Sequence, residues 1–251
     1  MTASAAIYFP VGAHDHLLIA ESGPWFAHRN QVIANLIKLY PFEGELYEIG
    51  AGNGVVSLHL QNMGYPVTAV EPMPAGAANC SARGLTKVRA ATIEQLSLTN
   101  GSVGAIGAFD VLEHLQNPAQ LLQEARRILK PNGIFYVTVP AHEFLWSSVD
   151  KYSGHFRRYS KKDLFALFAD AGFGPLKCNH FMNLLIAPAF ILRVLPEWLG
   201  IKQTEEEVLS ETRAVLSRSR LMEFCLFLEK RLNLNSTVPF GTSLVGAFIK
   251  K

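Results

Sequence analysis

Short apolar runs alternate with segments that carry apolar residues at helical spacing along most of the chain. Runs of about four to eight apolar residues suit strands buried on both faces, whereas recurrence every third or fourth residue suits a helix with one buried face. The alternation predicts an α/β fold with a mainly parallel sheet. The predicted strands are 46–49, 67–71, 87–91, 103–109, 134–139, 175–180 and 243–249, and the predicted helices are 23–40, 55–63, 75–83, 118–130 and 161–171.

About sixty residues separate the last two predicted strands, which is too long for a loop. Residues 181–200 are apolar, but Pro188, Pro196 and charged residues interrupt them, so they do not predict a membrane-spanning helix. Residues 204–232 have the pattern of charged amphipathic helices. Two interpretations stay open for this region: a lid over an apolar substrate pocket, or peripheral membrane contact through 181–200.

The predicted organisation follows from these patterns. An N-terminal helical cap occupies 1–40, and a cofactor-binding Rossmann-like core occupies 41–180. A helical insertion or substrate lid occupies 181–238, and the final core strand occupies 239–251.

Composition narrows the class of protein. The 251 residues are 18% charged and carry a net charge of only +2, so nucleic acid is not an expected partner. Three cysteines without paired spacing predict neither disulfides nor a zinc site. His14-Asp15-His16 has no third ligand nearby and is interpreted as a solvated loop, so no metal site is predicted. Residues 1–7 lack a secretory signal pattern, which favours a cytoplasmic location.

The most informative stretch follows the first predicted strand, where Gly50, Gly52 and Gly54 occupy alternate positions. Glycine lets the backbone approach a ligand where a β-carbon would collide, and the next helix directs its first N–H groups at the same crevice. Glu71, at the end of the second strand, suits the two hydroxyls of a ribose. The stretch therefore predicts a site for a nucleoside cofactor.

Glycine spacing and Glu48 separate two kinds of cofactor. Dinucleotide sites use G-x-G-x-x-G, whereas this chain has G-x-G-x-G. A carboxylate at Glu48 would repel a pyrophosphate, but it suits the ammonium and sulfonium groups of S-adenosylmethionine. The pattern therefore favours S-adenosylmethionine over the dinucleotide of an oxidoreductase.

Four stretches together resemble class I S-adenosylmethionine-dependent methyltransferases. Residues 48–54 and Glu71 resemble the first two motifs, and 109–115 (FDVLEHL) and 127–133 (RILKPNG) resemble two further ones. The resemblance covers about residues 44 to 140. It implies a Rossmann-like sheet of seven strands with helices on both faces, an antiparallel last strand and a helical insertion before that strand.

The resemblance also implies the cofactor contacts. Many relatives have an aspartate where Thr92 stands, so an adenine contact is expected from the backbone at Ile93. The segment 25–30 (WFAHRN) resembles an element of some bacterial relatives, in which Arg29 would reach the cofactor carboxylate; the alternative is a helix start with two buried aromatic residues. The implied cofactor-binding residues are Arg29, Glu48, Gly50, Ala51, Gly52, Asn53, Gly54, Glu71, Pro72, Thr92, Ile93, Glu94, Asp110 and Val111.

A second informative stretch, 142–159, resembles the LWSxxDxxxGHxRRY element of one branch of these enzymes. Methylation of a hydroxyl requires removal of its proton, for which a histidine is the usual base. His155 is the first candidate, with Asp150 to orient it, and His142 and His114 are second choices. In the alternative interpretation Asp150 pairs with Arg158, and His155 only caps a turn.

Arg157 and Arg158 predict an anionic acceptor, because guanidinium groups match carboxylate and phosphate, and only one of the two is expected to bind it. Trp25, Trp146 and Tyr159 complete the predicted acceptor site. The predicted function is methylation of a small-molecule or lipid-linked acceptor, preferably at oxygen, although nitrogen and carbon stay open. A catalytically silent cofactor-binding partner subunit is the rival interpretation.

Overall fold

The computed structural model describes residues 18, 21–201, 204, 206–208, 210, 220–232 and 239–251. The predictions for residues 1–7 and for His14-Asp15-His16 lie outside them. The described chain contains one sheet. Its strands are β1 (Leu46–Ile49), β2 (Val67–Val70), β3 (Val88–Arg89), β4 (Val103–Phe109), β5 (Leu129–Pro140), β6 (Phe173–Phe181) and β7 (Ser243–Lys250).

The seven strands lie in the order β3-β2-β1-β4-β5-β7-β6. β1 to β5 are parallel, and β7 is antiparallel to both of its neighbours, which confirms the predicted fold class. The order reverses between β1 and β4, and ligands bind at the carboxyl ends of strands at such a reversal. The helices are α1 (Pro24–Leu39), α2 (Val55–Asn62), α3 (Pro74–Ala82), α4 (Pro118–Ile128), α5 (Ser148–Tyr152), α6 (Lys161–Asp170), α7 (Ile186–Ala189), α8 (Leu195–Trp198) and α9 (Arg220–Arg231).

Apolar side chains cover both faces of the sheet. On one face, Leu122 of α4 and Phe168 of α6 belong to the same cluster as Phe135 of β5. On the other, α1, α2 and α9 contribute to a cluster that includes Ile37 and Tyr136. All residues of β4 are buried. The loop that follows β4 is therefore supported by a rigid core.

The start of β5 differs from its prediction. Helix α4 ends at Ile128 rather than at residue 130, because Leu129 is already extended and pairs with Val103. The next pair in register is Ala105 with Ile134, so residues 130–133 bulge out of the ladder. The proline and glycine in that stretch mark this bulge rather than the beginning of the strand.

Short helical turns follow one another between β6 and α8. A 3₁₀ turn, Asn183–Leu185, leads into α7, and a π-helical turn, Phe190–Val194, leads into α8. Pro196 lacks an N–H group for regular helical bonding, and π turns accommodate such interruptions. Among the described residues, no helix combines the length and apolarity that crossing a membrane requires.

Candidate active site

The glycine turn connects β1 to α2, and its three glycines have positive φ angles of 66°, 58° and 79°. A β-carbon on Gly50 would lie 2.9 Å from Val111, and one on Gly54 would lie 2.6 Å from Leu85. A β-carbon on Gly52 would meet no atom within 4 Å. Gly52 therefore faces the open crevice, whereas the other two glycines are required by packing against the protein.

Glu71 follows the last residue of β2, and its side chain lies next to the glycine turn. Its Oε2 accepts a hydrogen bond from Gly52 N–H at 2.8 Å, and its Oε1 accepts one from Met73 N–H at 2.8 Å. These bonds orient the carboxylate beside the glycine that faces open space. The predicted juxtaposition of Glu71 with the glycine turn is present.

Glu48 lies beneath the turn and is only 3% exposed. Burial raises the pKa of its carboxyl to about 7, although a hydrogen bond from Ser57 and the charge of Arg29 act in the opposite direction. Ser57, on α2, donates this hydrogen bond through its hydroxyl. The sequence analysis missed Ser57, whose only signal is its place in the first turn of the helix after the glycines.

Asn53 connects the turn to its surroundings. Its amide donates to Glu21 at 2.8 Å, and its carbonyl oxygen accepts from Asn79 of α3 at 2.9 Å. Glu21 also pairs with Arg83. The side chain of Asn53 thus holds the turn in place, and its direct contact with a cofactor stays a prediction.

An apolar pocket adjoins the turn on the side of β2 and β4. The side chain of Ile93 forms its buried wall, with 1% exposure. Thr92 and Gln95 close a tight turn, in which Thr92 N–H donates to the Gln95 side chain at 2.8 Å. An apolar slot of this kind suits a nucleobase. The lining residues are Ile49, Pro72, Ala91, Thr92, Ile93, Glu94, Val111, Leu115 and Leu121.

Arg29 and Asp110 form an ion pair at the carboxyl end of β4, with 2.5 Å between Nη1 and Oδ2. The Arg29 guanidinium also lies 5.0 Å from the ring of Trp25 and 5.1 Å from that of Phe26. Asp110 has a positive φ of 57° and accepts a hydrogen bond from Thr138 at 3.0 Å. Arg29 is thus held by Asp110 and two aromatic rings, and its predicted contact with the cofactor carboxylate stays a prediction.

Two motifs that are far apart in the sequence pack against each other beside this pair. Phe156 N–H donates to Glu113 O at 2.8 Å, and the Tyr159 hydroxyl donates to Leu112 O at 3.1 Å. Arg157 donates to Gln116 O at 2.9 Å. These bonds hold loop 154–159 against the loop that follows β4.

Asp150 is fully buried and is the centre of the cluster on this loop. Its Oδ1 lies 2.8 Å from Nδ1 of His155 and 2.9 Å from Nε of Arg158, while Oδ2 accepts Ser147 N–H at 3.0 Å. The hydrogen bonds and the positive charge keep the pKa of Asp150 below its ordinary value despite burial, which acts to raise it. Both interpretations of the sequence are thus partly realised, because Asp150 contacts His155 and Arg158 together.

Arg157 and Arg158 differ in their contacts, and which of them binds an acceptor stays a prediction. Arg158 is directed inward, donating to Asp150 and to Ala141 O. Arg157 is half-buried, and its guanidinium donates to a backbone carbonyl, Gln116 O. Tyr159 is buried with its hydroxyl on Leu112 O, whereas Trp146 and Trp25 are half-buried. Their roles in acceptor binding stay predictions.

His142 lies in a different cluster from His155. Its ring stacks on His180, with 4.9 Å between centroids and a 4° interplanar angle. Burial lowers the pKa of both histidines, to about 4 in His180. The contact packs the two rings together, and a catalytic role of His142 stays a prediction.

Glu113 is the functional candidate that the sequence analysis missed. It is 1% exposed and lies in a 3₁₀ turn, Leu112–His114, directly after β4. One ligand atom each from Glu113, His114 and His155 lie within 4.8 Å of one another. The signal was present in the Glu-His pair of the DVLEHL stretch.

Residues 26–177 match the model of a family described as "Methyltransferase domain". The chain is 34% identical over 104 residues to a ubiquinone biosynthesis O-methyltransferase of Caulobacter vibrioides, covering 39% of this chain and 41% of that protein. It is 28% identical over 123 residues to a "Probable S-adenosylmethionine-dependent methyltransferase" of Mycolicibacterium smegmatis, covering 49% and 48%. The chain therefore spans less than half the length of these curated relatives.

The fold also resembles a solved structure from Thermotoga maritima, described as a possible histamine N-methyltransferase. The two share 22% identity and a TM-score of 0.60, covering 95% of this chain and 99% of the other. At this identity the similarity shows a shared fold.

Proposed function

The chain belongs to the methyltransferase domain family, with S-adenosylmethionine as its cofactor, and from this premise we propose that it methylates a hydroxyl group of a small or lipid-linked, anionic acceptor. The observation that carries the proposal is the contact between Asp150 and His155 beside the loop that follows β4. We also assign the chain to the branch of the family that carries the GHxRRY loop.

The crevice fits S-adenosylmethionine. Open space in front of Gly52 gives the cofactor access to the turn, the Glu71 carboxylate held beside it would accept the ribose hydroxyls, and the slot beside Ile93 would take the adenine. The bound cofactor would supply a methyl group on a sulfonium. A nucleophile attacks the methyl carbon in line with the carbon–sulfur bond, and the sulfur leaves as a thioether. Glu48 provides negative charge beneath the turn, which favours the positive groups of this cofactor.

His155 then acts on the acceptor hydroxyl. Asp150 accepts a hydrogen bond from Nδ1–H of His155, which favours the tautomer whose Nε2 lone pair is available. Ser147 and Arg158 fix Asp150, so the imidazole is held in one orientation. The side chain of His155 is 15% exposed and its ring packs edge to face on His114, next to the loop that follows β4. These features suit removal of a proton from a hydroxyl.

Arg157 supplies the selectivity for an anion. A guanidinium has five N–H donors, and one bond to Gln116 O leaves donors for a carboxylate or phosphate. The charge of Arg158 is already paired with the buried carboxylate of Asp150, so Arg157 is the better candidate for an anionic acceptor.

The proposal is tested with S-adenosylmethionine that carries an isotopically labelled methyl group. The full chain is incubated with separate lipid and aqueous extracts of bacterial cells, and labelled products are identified by mass and by the NMR shift of the methyl carbon. We expect an O-methyl signal that is lost in His155→Ala and weakened in Arg157→Gln. An N-methyl or C-methyl product would contradict oxygen as the acceptor atom.

A lipid-linked acceptor is favoured by the exposed apolar side chains between β6 and β7. Trp198 and Leu199 are 69% and 71% exposed, and Phe224 and Phe227 on α9 are each 59% exposed. Large exposed apolar patches mark surfaces for lipid or a partner. We infer that 181–200, together with the outer face of α9, contacts the membrane from which the acceptor is drawn.

Vesicle co-sedimentation, with and without anionic lipid, tests the proposed membrane contact. The Trp198→Ser/Leu199→Ser variant should lose sedimentation while retaining cofactor affinity. Equal sedimentation of variant and wild type would contradict membrane contact and favour the lid interpretation of this region.

A further inference from the structure

We propose that Glu113, His114 and His155 form a binding site for a divalent transition-metal cation that activates the acceptor hydroxyl. One ligand atom from each residue lies within 4.8 Å of the other two. Ligand atoms at about 2.1 Å from a metal are about 3–4 Å apart, so side-chain shifts of about 1 Å complete the site. The rings of His114 and His155 already meet edge to face, with centroids 4.7 Å apart.

The surroundings of His155 have the arrangement that supports a metal ligand. A ligating histidine commonly donates its second ring N–H to a carboxylate, which fixes the tautomer and makes the other nitrogen a better ligand. Asp150 is 2.8 Å from Nδ1 of His155 and is itself held by Ser147 and Arg158. Nε2 is therefore the nitrogen that would bind the cation.

Glu113 supplies the charge that a cation would balance. It is 1% exposed, and its Oε2 has no hydrogen-bond partner in the described part of the chain. Its two acidic neighbours each have an arginine, since Asp110 pairs with Arg29 and Asp150 pairs with Arg158. A buried carboxylate without an ion-pair partner of its own is costly to ionise, and a bound cation would remove that cost.

The scaffold is rigid enough to hold the three ligands together. Glu113 and His114 lie on the 3₁₀ turn after β4, and His155 lies on the loop docked against it. Phe156 N–H bonds to the backbone of Glu113 itself, at 2.8 Å. This hydrogen bond ties the residue after His155 to the backbone of Glu113, so the two proposed ligands are held close together.

Two imidazoles and one carboxylate suit zinc, manganese or iron(II), and they leave coordination positions open. An acceptor with a hydroxyl beside a second oxygen donor would fill them.

The cation would lower the pKa of the bound hydroxyl, whose proton passes to solvent. The oxygen then forms a bond to the methyl carbon as the carbon–sulfur bond breaks and its electron pair stays on sulfur. With the cation bound, Nε2 of His155 is a ligand, so His155 activates the hydroxyl through the cation instead of taking its proton directly. This catalytic role rests on the proposed function, whereas cation binding does not.

The test titrates EDTA-treated full-length protein with Mn²⁺ or Zn²⁺ alone, by calorimetry and, for Mn²⁺, by the EPR signal of the free ion. We expect one equivalent bound, with affinity reduced more than about tenfold in Glu113→Gln and about 10- to 100-fold in Asp150→Asn. His59→Gln, a histidine on α2 outside the cluster, is the matched control. Circular dichroism establishes that each variant is folded, and His114→Asn replaces Glu113→Gln if the latter is not.

Two outcomes overturn the site: no binding by the wild type, or unchanged binding in the folded ligand variants. Cation binding without methyl transfer would retain the site and contradict the proposed function. Methyl transfer that persists in EDTA without cation binding would retain the function and contradict the site.

Discussion

The Arg29 guanidinium lies 2.5 Å from the Asp110 carboxylate, joining residues that are 81 positions apart in the chain. Asp110 also accepts a hydrogen bond from Thr138 on β5. The pair therefore fixes α1 against the carboxyl ends of β4 and β5, at the edge of the sheet where the cofactor and acceptor would meet.

Removing one member of this pair should destabilise the fold. Arg29→Met leaves the Asp110 carboxylate without its partner, and we expect a loss of roughly 3 kcal/mol in the free energy of unfolding. The double variant Arg29→Met/Asp110→Asn should recover at least half of that loss, because Asp110 no longer carries an unpaired charge. Urea unfolding of all four proteins gives the coupling energy. Purely additive losses would mean that the two residues do not interact.

Gly52→Ala should weaken S-adenosylmethionine binding at least about tenfold, because its β-carbon enters the open space in front of the turn. Gly84→Ala is a matched control, since that glycine also has a positive φ, of 90°, and no atom within 4 Å of a β-carbon. Both changes carry a similar backbone strain of about 1 kcal/mol. Calorimetry should therefore separate the two variants, whereas their melting temperatures should fall equally. Equal affinities would place the cofactor away from Gly52.

Cofactor affinity should increase between about pH 6 and 7.5. The pKa of Glu48 is raised to about 7 by burial, so part of the population is protonated there, and a positive cofactor favours the ionised form. Binding should release protons, which calorimetry in buffers of different ionisation enthalpy detects. Glu48→Gln should remove the dependence on pH, and a dependence that survives in this variant would assign it to another group.

The free energy of unfolding should also depend on the protonation of Glu48, but it should decrease as the pH rises, whereas cofactor affinity increases. The folded pKa of Glu48 lies above its ordinary value of 4.5, so the folded protein binds the proton more tightly than the unfolded chain does. The contribution is fully present below about pH 4.5 and is lost as the pH rises through about 7. The free energy of unfolding of the wild type should fall relative to Glu48→Gln across this window. A parallel pair of curves would contradict the raised pKa.

His155→Ala should lower kcat by about 10² to 10⁴, whether the imidazole acts directly or through a cation. The dissociation constant of S-adenosylmethionine should change little, because the cofactor crevice is built from other residues. Single-turnover kinetics with an identified acceptor, beside calorimetry, separates the two quantities. Unchanged turnover would leave the contact between Asp150 and His155 with a structural role only.

Glu229 should be required for stability although it lies outside the crevice. It is fully buried, lies 3.1 Å from Nε2 of His28 on α1, and accepts the N–H of Met182 at 2.7 Å. Glu229→Ala leaves both groups without this partner and should cost about 3 kcal/mol. The exposed Glu223 of the same helix is the control, and Glu223→Ala should change stability by less than about 0.5 kcal/mol. Similar melting temperatures for the two variants would contradict this role.

Local patterns were sufficient for much of the fold. The apolar run of β4 has its predicted bounds, 103–109, because a strand buried on both faces is recognisable from its own residues. The glycine turn was also predictable from sequence, because the positive φ angles at Gly50, Gly52 and Gly54 are favoured by glycine itself. The seven strands and the antiparallel last strand followed from family resemblance, because consecutive motifs imply a shared topology.

The sequence alone determined most of the elements, the glycine turn and the acidic residue at the end of β2, because each depends on neighbours in the chain. Only the tertiary structure decided how the polar side chains pair. Arg29 meets Asp110, and His28 meets Glu229 across 201 positions, because parallel strands end at one edge and α9 packs on α1. Glu113 and His155 come together for the same reason, since two loops dock at that edge. Burial then decides which charges are compensated within the chain, and no local pattern carries that information.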